Sequence, residues 1–166
     1  MTSSYHSSYH QQSLGMNAAL LSELTKPFHQ KLRDEARQSL TSGQNEMAVV
    51  LAQAASEMCT EWVISALFAL RGDAELAEPI LTRFRTTDIC SNYVHDVYVA
   101  LSGDTPNQQP FWERLKRHQR RRNDVVHKGK KSSPIEAADS VAVVAEYLLH
   151  VETVLSNLHA KQPQKP

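Results

Sequence analysis

The last third of the chain restricts the fold most. Ser133, Pro134 and Glu136 spell the start of a helix. Ser is the N-cap, Pro sits at the first helical position where its missing N–H costs nothing, and Glu three residues after the cap completes a capping box. From there Ile135, Ala138, Val141, Val144, Ala145, Leu148, Val151, Leu155 and Leu158 follow the helical period. An apolar stripe of that length has to bury against an element of similar length. The chain holds one: from Asn45 to about Leu70, Met47, Val50, Leu51, Ala54, Met58, Trp62, Ser65 and Phe68 fall at three- and four-residue steps, and Gly72 ends the pattern. No run of alternating β-branched residues reads as a strand. Two long amphipathic helices and no sheet commit the chain to a helical bundle.

Shorter elements fill in around this pair. One helix is expected over about Pro27 to Leu40, stopping at Ser42-Gly43, with Leu14 to Leu24 forming a short leader helix. After a connection interrupted by Pro79, Thr87 or Asp88 can cap a helix whose face carries Cys90, Tyr93, Val94, Val97 and Leu101, ending at Gly103. A loop over Asp104 to Gln109 leads to a helix that starts near Pro110 on Phe111, Trp112 and Leu115, with Gly129 as its C-cap. The expected fold is all-α, an antiparallel helical bundle of four to five helices. Residues 14–160 form its single domain, with polar tails at 1–13 and 161–166. The repeated Ser-Ser-Tyr-His of residues 3–10 offers possible weak metal ligands, but a short polar low-complexity stretch reads as tail.

With 166 residues, 41% hydrophobic composition and zero formal net charge, the chain is large enough for a core but not basic enough to coat nucleic acid generally. No apolar run approaches the roughly 20 residues that cross a bilayer, and the amino terminus lacks a charged region leading into an apolar stretch. A soluble, cytoplasmic protein without a membrane partner is expected. Cys59 and Cys90 stand alone in apolar helical patterns and read as reduced core thiols. No metal or cofactor site is expected.

The helix from Pro110 is different in kind. Its apolar start gives way to Arg114, Lys116, Arg117, Arg120, Arg121 and Arg122, and Lys128, Lys130 and Lys131 follow; only Glu113 and Asp124 oppose them along the chain. Charge sorted in this way should attract phosphates, so Arg117, Arg120, Arg121, Lys128 and Lys130 are the expected RNA contacts, although a solvated face or a targeting signal fits a bare charge run as well. The run leads into Arg122-Asn123-Asp124-Val125-Val126-His127. Arg forks onto phosphate oxygens, and His both takes and gives protons near neutral pH. On an ideal helix His127 lies one turn after Asn123 on the same face, while Arg122 is displaced by about 100° from Asn123. Asn123 can therefore orient the imidazole, and Val125 and Val126 anchor the motif in the core or at a subunit contact. His118 can join the site or be a bystander on the basic face.

Arg122-Asn123-x3-His127, at the end of one helix of an all-α bundle and followed by a long amphipathic helix, resembles the R-x4-6-H motif of the HEPN superfamily, in which a polar residue often follows the Arg. The resemblance spans the architecture of roughly residues 45–158. It implies a metal-independent endoribonuclease of the kind found in toxin–antitoxin pairs and antiviral defence. Such an enzyme acts on tRNA or mRNA as a homodimer with a composite active site, alongside a possible antitoxin or regulatory partner. It assigns Arg122 and His127 to catalysis and Asn123 to support. The alternative is a non-catalytic HEPN-like dimerisation or nucleotide/RNA-binding module. Glu57 and Glu61 are possible cleft-facing acids, or simply acids at the core edge.

Overall fold

The structure, a computed structural model, describes residues 26–161. The expected leader helix and the tail over 1–13 lie outside the described residues, as does the carboxyl-terminal tail beyond Lys161. Six α-helices are present: α1 (Phe28–Thr41), α2 (Asn45–Arg71), the single turn α3 (Ala77–Leu81), α4 (Asn92–Ser102), α5 (Trp112–Lys128) and α6 (Pro134–Ala160). Short 3₁₀ turns at Ala74–Leu76 and Pro106–Gln108 lie in the connections, and no strand occurs among the described residues. The all-α bundle read from the sequence is the fold.

The start and stop signals act where they were read. Ser133 accepts from the Glu136 N–H while the Glu136 carboxylate accepts from the Ser133 N–H at 2.9 Å, so the capping box is complete. Gly129 ends α5 at φ 61°, a left-handed conformation in which a Cβ would be strained. The start of α4 differs. Asp88 is not its cap: the Asp88 carboxylate takes the Cys90 N–H at 2.8 Å and the Gln53 side chain of α2 at 3.0 Å, and the helix begins four residues later behind Ser91. Tyr93, expected on the apolar face, is 58% exposed and meets only the edge of Phe84.

The core lies around α2, and it does not follow the large-residue stripe. Met47 is 51% and Trp62 39% exposed, whereas Ala48, Ala52, Ala55, Ser56, Cys59, Thr60, Val63 and Ile64 are buried, as is Phe68 of the stripe. The reason is close approach. α1, α4, α5 and α6 all pack on α2, and small side chains let their backbones come near, leaving the bulkier residues to fill the margins. On α6 Ile135 is 83% exposed, but Val141, Val144, Leu148 and Val151 of the expected stripe are buried, together with Ala137, Ser140, Val143 and Tyr147. The phenol of Tyr147 shares a 2.7 Å hydrogen bond with Thr60 inside this contact. Leaving either group unpaired there costs about 1–3 kcal/mol. α6 is also long and apolar enough to cross a membrane, with mean hydropathy 1.3 over its most apolar window. A search for uninterrupted apolar runs passes over it because Glu136, Asp139, Glu146 and Glu152 punctuate it, and in this fold its apolar face is the bundle core.

Helix directions follow from paired contacts. Phe111 meets Tyr147 and His150, Arg114 reaches Glu146, and Arg121 reaches Ser140, so α5 and α6 are antiparallel. His29 and Gln30 of α1 bond Glu152 near the end of α6. By contrast Glu46 lies beside Ser132 and Thr60 beside Tyr147, so the two longest helices run in the same direction. Antiparallel packing therefore holds for helices joined by tight turns, while the α3–α4–α5 excursion between α2 and α6 restores a common direction for the central pair.

Candidate nucleic-acid interface on α5

α5 buries little of itself: only Leu115 and His118 are buried on the helix, with Phe111 just ahead of it. Its remaining length carries charge, and the structure sorts those charges by the partners that α6 brings. Arg114 does not face solvent as a phosphate ligand. Its Nη1 takes both oxygens of Glu146 at 2.7 and 2.9 Å and its Nε takes Asp139 at 2.9 Å. Such a forked pair is geometrically specific and pins α5 to α6. Opposition to the basic run is thus not confined to Glu113 and Asp124, as reading along the chain suggests.

Past Arg114 the bundle opens into a cleft of about 350 Å³ between α5 and the start of α6, lined by Arg117, Arg120, Arg121, Lys130 and Lys131 with Asp124 and Glu136. Four of the five expected RNA contacts gather here. Arg121 is set in place by Ser140 at 2.6 Å with Asp139 at 3.7 Å, so it is preorganised but partly neutralised. Arg117 and Arg120 make no hydrogen bond or ion pair among the described residues and are free for a ligand. Lys128 does not line the cleft; it bonds Asp124 at 2.7 Å, and Lys130 bonds the other Asp124 oxygen at 2.8 Å. These two ammonium groups pull the Asp124 carboxyl down to about 2, and the Asp124 carbonyl receives the Lys130 N–H at 3.2 Å. Asp124 therefore shapes the loop at the cleft's edge. Lys131, absent from the expected set, completes the ring of cations; its place just before Ser132, whose N–H is held by Glu46 at 3.0 Å, is the signal that a reading along α5 alone omits.

None of Arg122, Asn123 and His127 lines this cleft, although His127, seven residues after Arg120, lies within about 20° of it round the helix. Five residues at 3.6 per turn put Arg122 and His127 about 140° apart, with Asn123 and Val126 between them. Arg122 is half-buried and its Nη1 donates to the Asn123 side-chain oxygen at 3.0 Å. The expected Asn123–His127 hydrogen bond is not formed: Asn123 is engaged by its sequence neighbour, and His127 is exposed and makes no hydrogen bond among the described residues. Val126 is 47% exposed, so it anchors nothing in the core of a single chain, while Val125 lies at the wall of the basic cleft. What the structure brings together is Arg122 with Asn123. His127 stands apart at the end of α5.

His118 is not on the basic face at all. It is completely buried, neither ring nitrogen has a partner, and burial with Arg121 and Arg122 nearby pushes its pKa down to about 4 despite Asp139. It is a neutral core residue under the arginines. Glu57 accepts from Gln53 at 2.9 Å, and Glu61 lines a depression with Ser65 and Glu78; neither hydrogen-bonds the motif. Cys59 and Cys90 are free thiols, and burial pushes both well above the usual thiol range.

Compared with protein families, with curated proteins and with solved structures, the chain shows no match.

Proposed function

We propose that this chain is a metal-independent endoribonuclease that works as a homodimer, with Arg122 and His127 as its catalytic residues and Asn123 holding Arg122. The observation that carries the reading is an open imidazole at the end of α5, His127, on the same stretch of helix as an arginine whose guanidinium is braced but not neutralised. Cleavage needs the 2′-OH deprotonated as its oxygen bonds to phosphorus. The bond from phosphorus to the 5′ oxygen then breaks, and that oxygen takes up a proton. The products are a 2′,3′-cyclic phosphate and a 5′-hydroxyl. An imidazole serves either proton transfer, and a guanidinium stabilises the anionic phosphorane. One chain holds one such His, so a two-fold interface must bring two together, one as base and one as acid. Exposed Val126 between Arg122 and His127 gives that interface an apolar contact at the motif, and the basic cleft offers the strand a second hold on its phosphates.

One observation favours a second reading, a non-catalytic HEPN-like RNA-binding module: Arg117 and Arg120, whose guanidinium groups have no protein partner among the described residues, line the cleft, and none of Arg122, Asn123 and His127 does. A single experiment separates the two. The protein and its His127→Ala and Arg122→Ala variants are incubated with mixed tRNA and mRNA in excess EDTA. The nuclease predicts 2′,3′-cyclic phosphate ends from the parent, a loss of at least a hundredfold in either variant in line with general acid–base catalysis, and unchanged RNA binding by His127→Ala. Binding without cleavage by all three proteins overturns the nuclease and leaves the module.

A further inference from the structure

The segment between α3 and α4 carries a second constellation that the α5 motif does not use. Arg83, Phe84 and Arg85 alternate along it. Phe84 packs against the core and meets the Tyr93 ring edge-to-face, 5.3 Å between centroids at 88°. Held in this way, it leaves Arg83 and Arg85 exposed on either side, and neither guanidinium has a hydrogen-bond or ion-pair partner among the described residues. Together with Thr86, Ser91 and Tyr93 they line a cleft of about 250 Å³. Tyr93 is 58% exposed on the first turn of an otherwise well-packed helix, with Phe84 supporting it from the side. The fold leaves two guanidinium groups and an aromatic ring, braced by Phe84, open to solvent, while the Thr86 hydroxyl accepts from the Asp88 N–H at 3.2 Å.

We propose that this cleft is a site for single-stranded RNA, in which an unpaired base stacks on Tyr93 and the flanking phosphates lie on Arg83 and Arg85. Cations interleaved with exposed aromatic rings fit an unpaired strand, since every base offers a π-face and every linkage a charge. A duplex hides its base faces, and an acidic protein surface would have no use for the ring. The cleft is placed to serve α5. The start of α4 lies against the start of α5, with His95 and Trp112 ring centroids 5.5 Å apart, and the Cys90 thiol sits in the electrostatic field of Lys116. From Lys116 to His127 is about 16 Å along the helix axis. The site thus belongs to the helix that packs against the start of α5, whose basic run leads to the motif. This inference rests on the nuclease reading only for RNA as the ligand.

The test uses the full chain and a fluorescein-labelled single-stranded oligonucleotide with 2′-O-methyl groups throughout, which cannot be cleaved by 2′-OH attack. Anisotropy titrations compare the parent with Tyr93→Ala, Tyr93→Phe and the double variant Arg83→Gln/Arg85→Gln. Loss of one stacked base predicts roughly tenfold weaker binding for Tyr93→Ala. Tyr93→Phe keeps the ring and binds as the parent does. The double variant binds more weakly and with a shallower salt dependence, because fewer counterions are released. A duplex of the same sequence shows no dependence on Tyr93. The Arg side chains and the Tyr hydroxyl have no partner to lose, so Tyr93→Phe and the double variant remain informative even where Tyr93→Ala melts early. Absence of binding by the parent, parent-like binding by Tyr93→Ala and the double variant, or equal weakening of the duplex by Tyr93→Ala each overturns the site. The EDTA cleavage assay reports separately: cleavage by a protein whose oligonucleotide binding ignores Tyr93 sinks this inference and leaves the nuclease standing, while Tyr93-dependent binding without cleavage does the reverse.

Discussion

His118 shows what a single residue can hide. In the sequence it is one more titratable group in a basic run; in the fold it is fully buried with both ring nitrogens unpartnered and a pKa lowered to about 4. The sign of the consequence follows. The unfolded chain protonates this imidazole below about 6.5, and the folded chain does so only near 4. Between those values the unfolded state binds more protons, so stability is intact above about 6.5 and is lost as pH falls toward 4, by roughly 3 kcal/mol at full extent. Carboxylates such as Asp124, held at about 2, act below that window. His118→Leu should flatten the dependence of Tm on pH between 6.5 and 4 and keep Tm at pH 7 at or above the parent's, since no buried N–H is then left without an acceptor. A parallel slope in both proteins would place the titrating group elsewhere. Asn123 is the counterpart: its spacing points to His127 as partner, and side-chain geometry gives it Arg122 instead.

Elements were legible where their signals are local. The Ser133–Glu136 box acts within three residues and needs nothing from the rest of the chain, so its stability contribution is open to a direct test. Ser133→Ala should cost about 1 kcal/mol, seen as a lower denaturation midpoint with unchanged slope. No shift in midpoint would mean that α6 is held by its packing alone. α4 was misplaced for the opposite reason. Asp88 is a good cap by composition, but Gln53, 35 residues away, draws its carboxylate into the core contact with α2. On α6 the apolar period marks buried residues correctly at Val141, Val144, Leu148 and Val151, while on α2 Met47 and Trp62 lie at the margin and Ala48, Ala52 and Ala55 are buried, because a helix touched from several sides takes its closest contacts on small side chains.

At the scale of the molecule the decisive step is how α6 lies on α5. It neutralises Arg114 with Glu146 and Asp139, secures Arg121 on Ser140, and leaves Arg117, Arg120 and Lys131 to define a cleft that none of Arg122, Asn123 and His127 lines. If two copies meet at the motif, Val126 lies in the contact. Val126→Asp should then keep the parent's Tm, being 47% exposed in the single chain, while abolishing both self-association in analytical ultracentrifugation and RNA cleavage. Retention of cleavage by a monomeric Val126→Asp protein would overturn the dimeric mechanism. The sequence by itself determined the helical class, the ends of α2, α5 and α6, and the presence of cations and an Arg-Asn-x3-His string, because periodicity, caps and composition are properties of neighbours along the chain. Only the tertiary structure decided which cations are free, that His118 is core, and which of the cations gather in the cleft, because each of these depends on what another helix places beside α5.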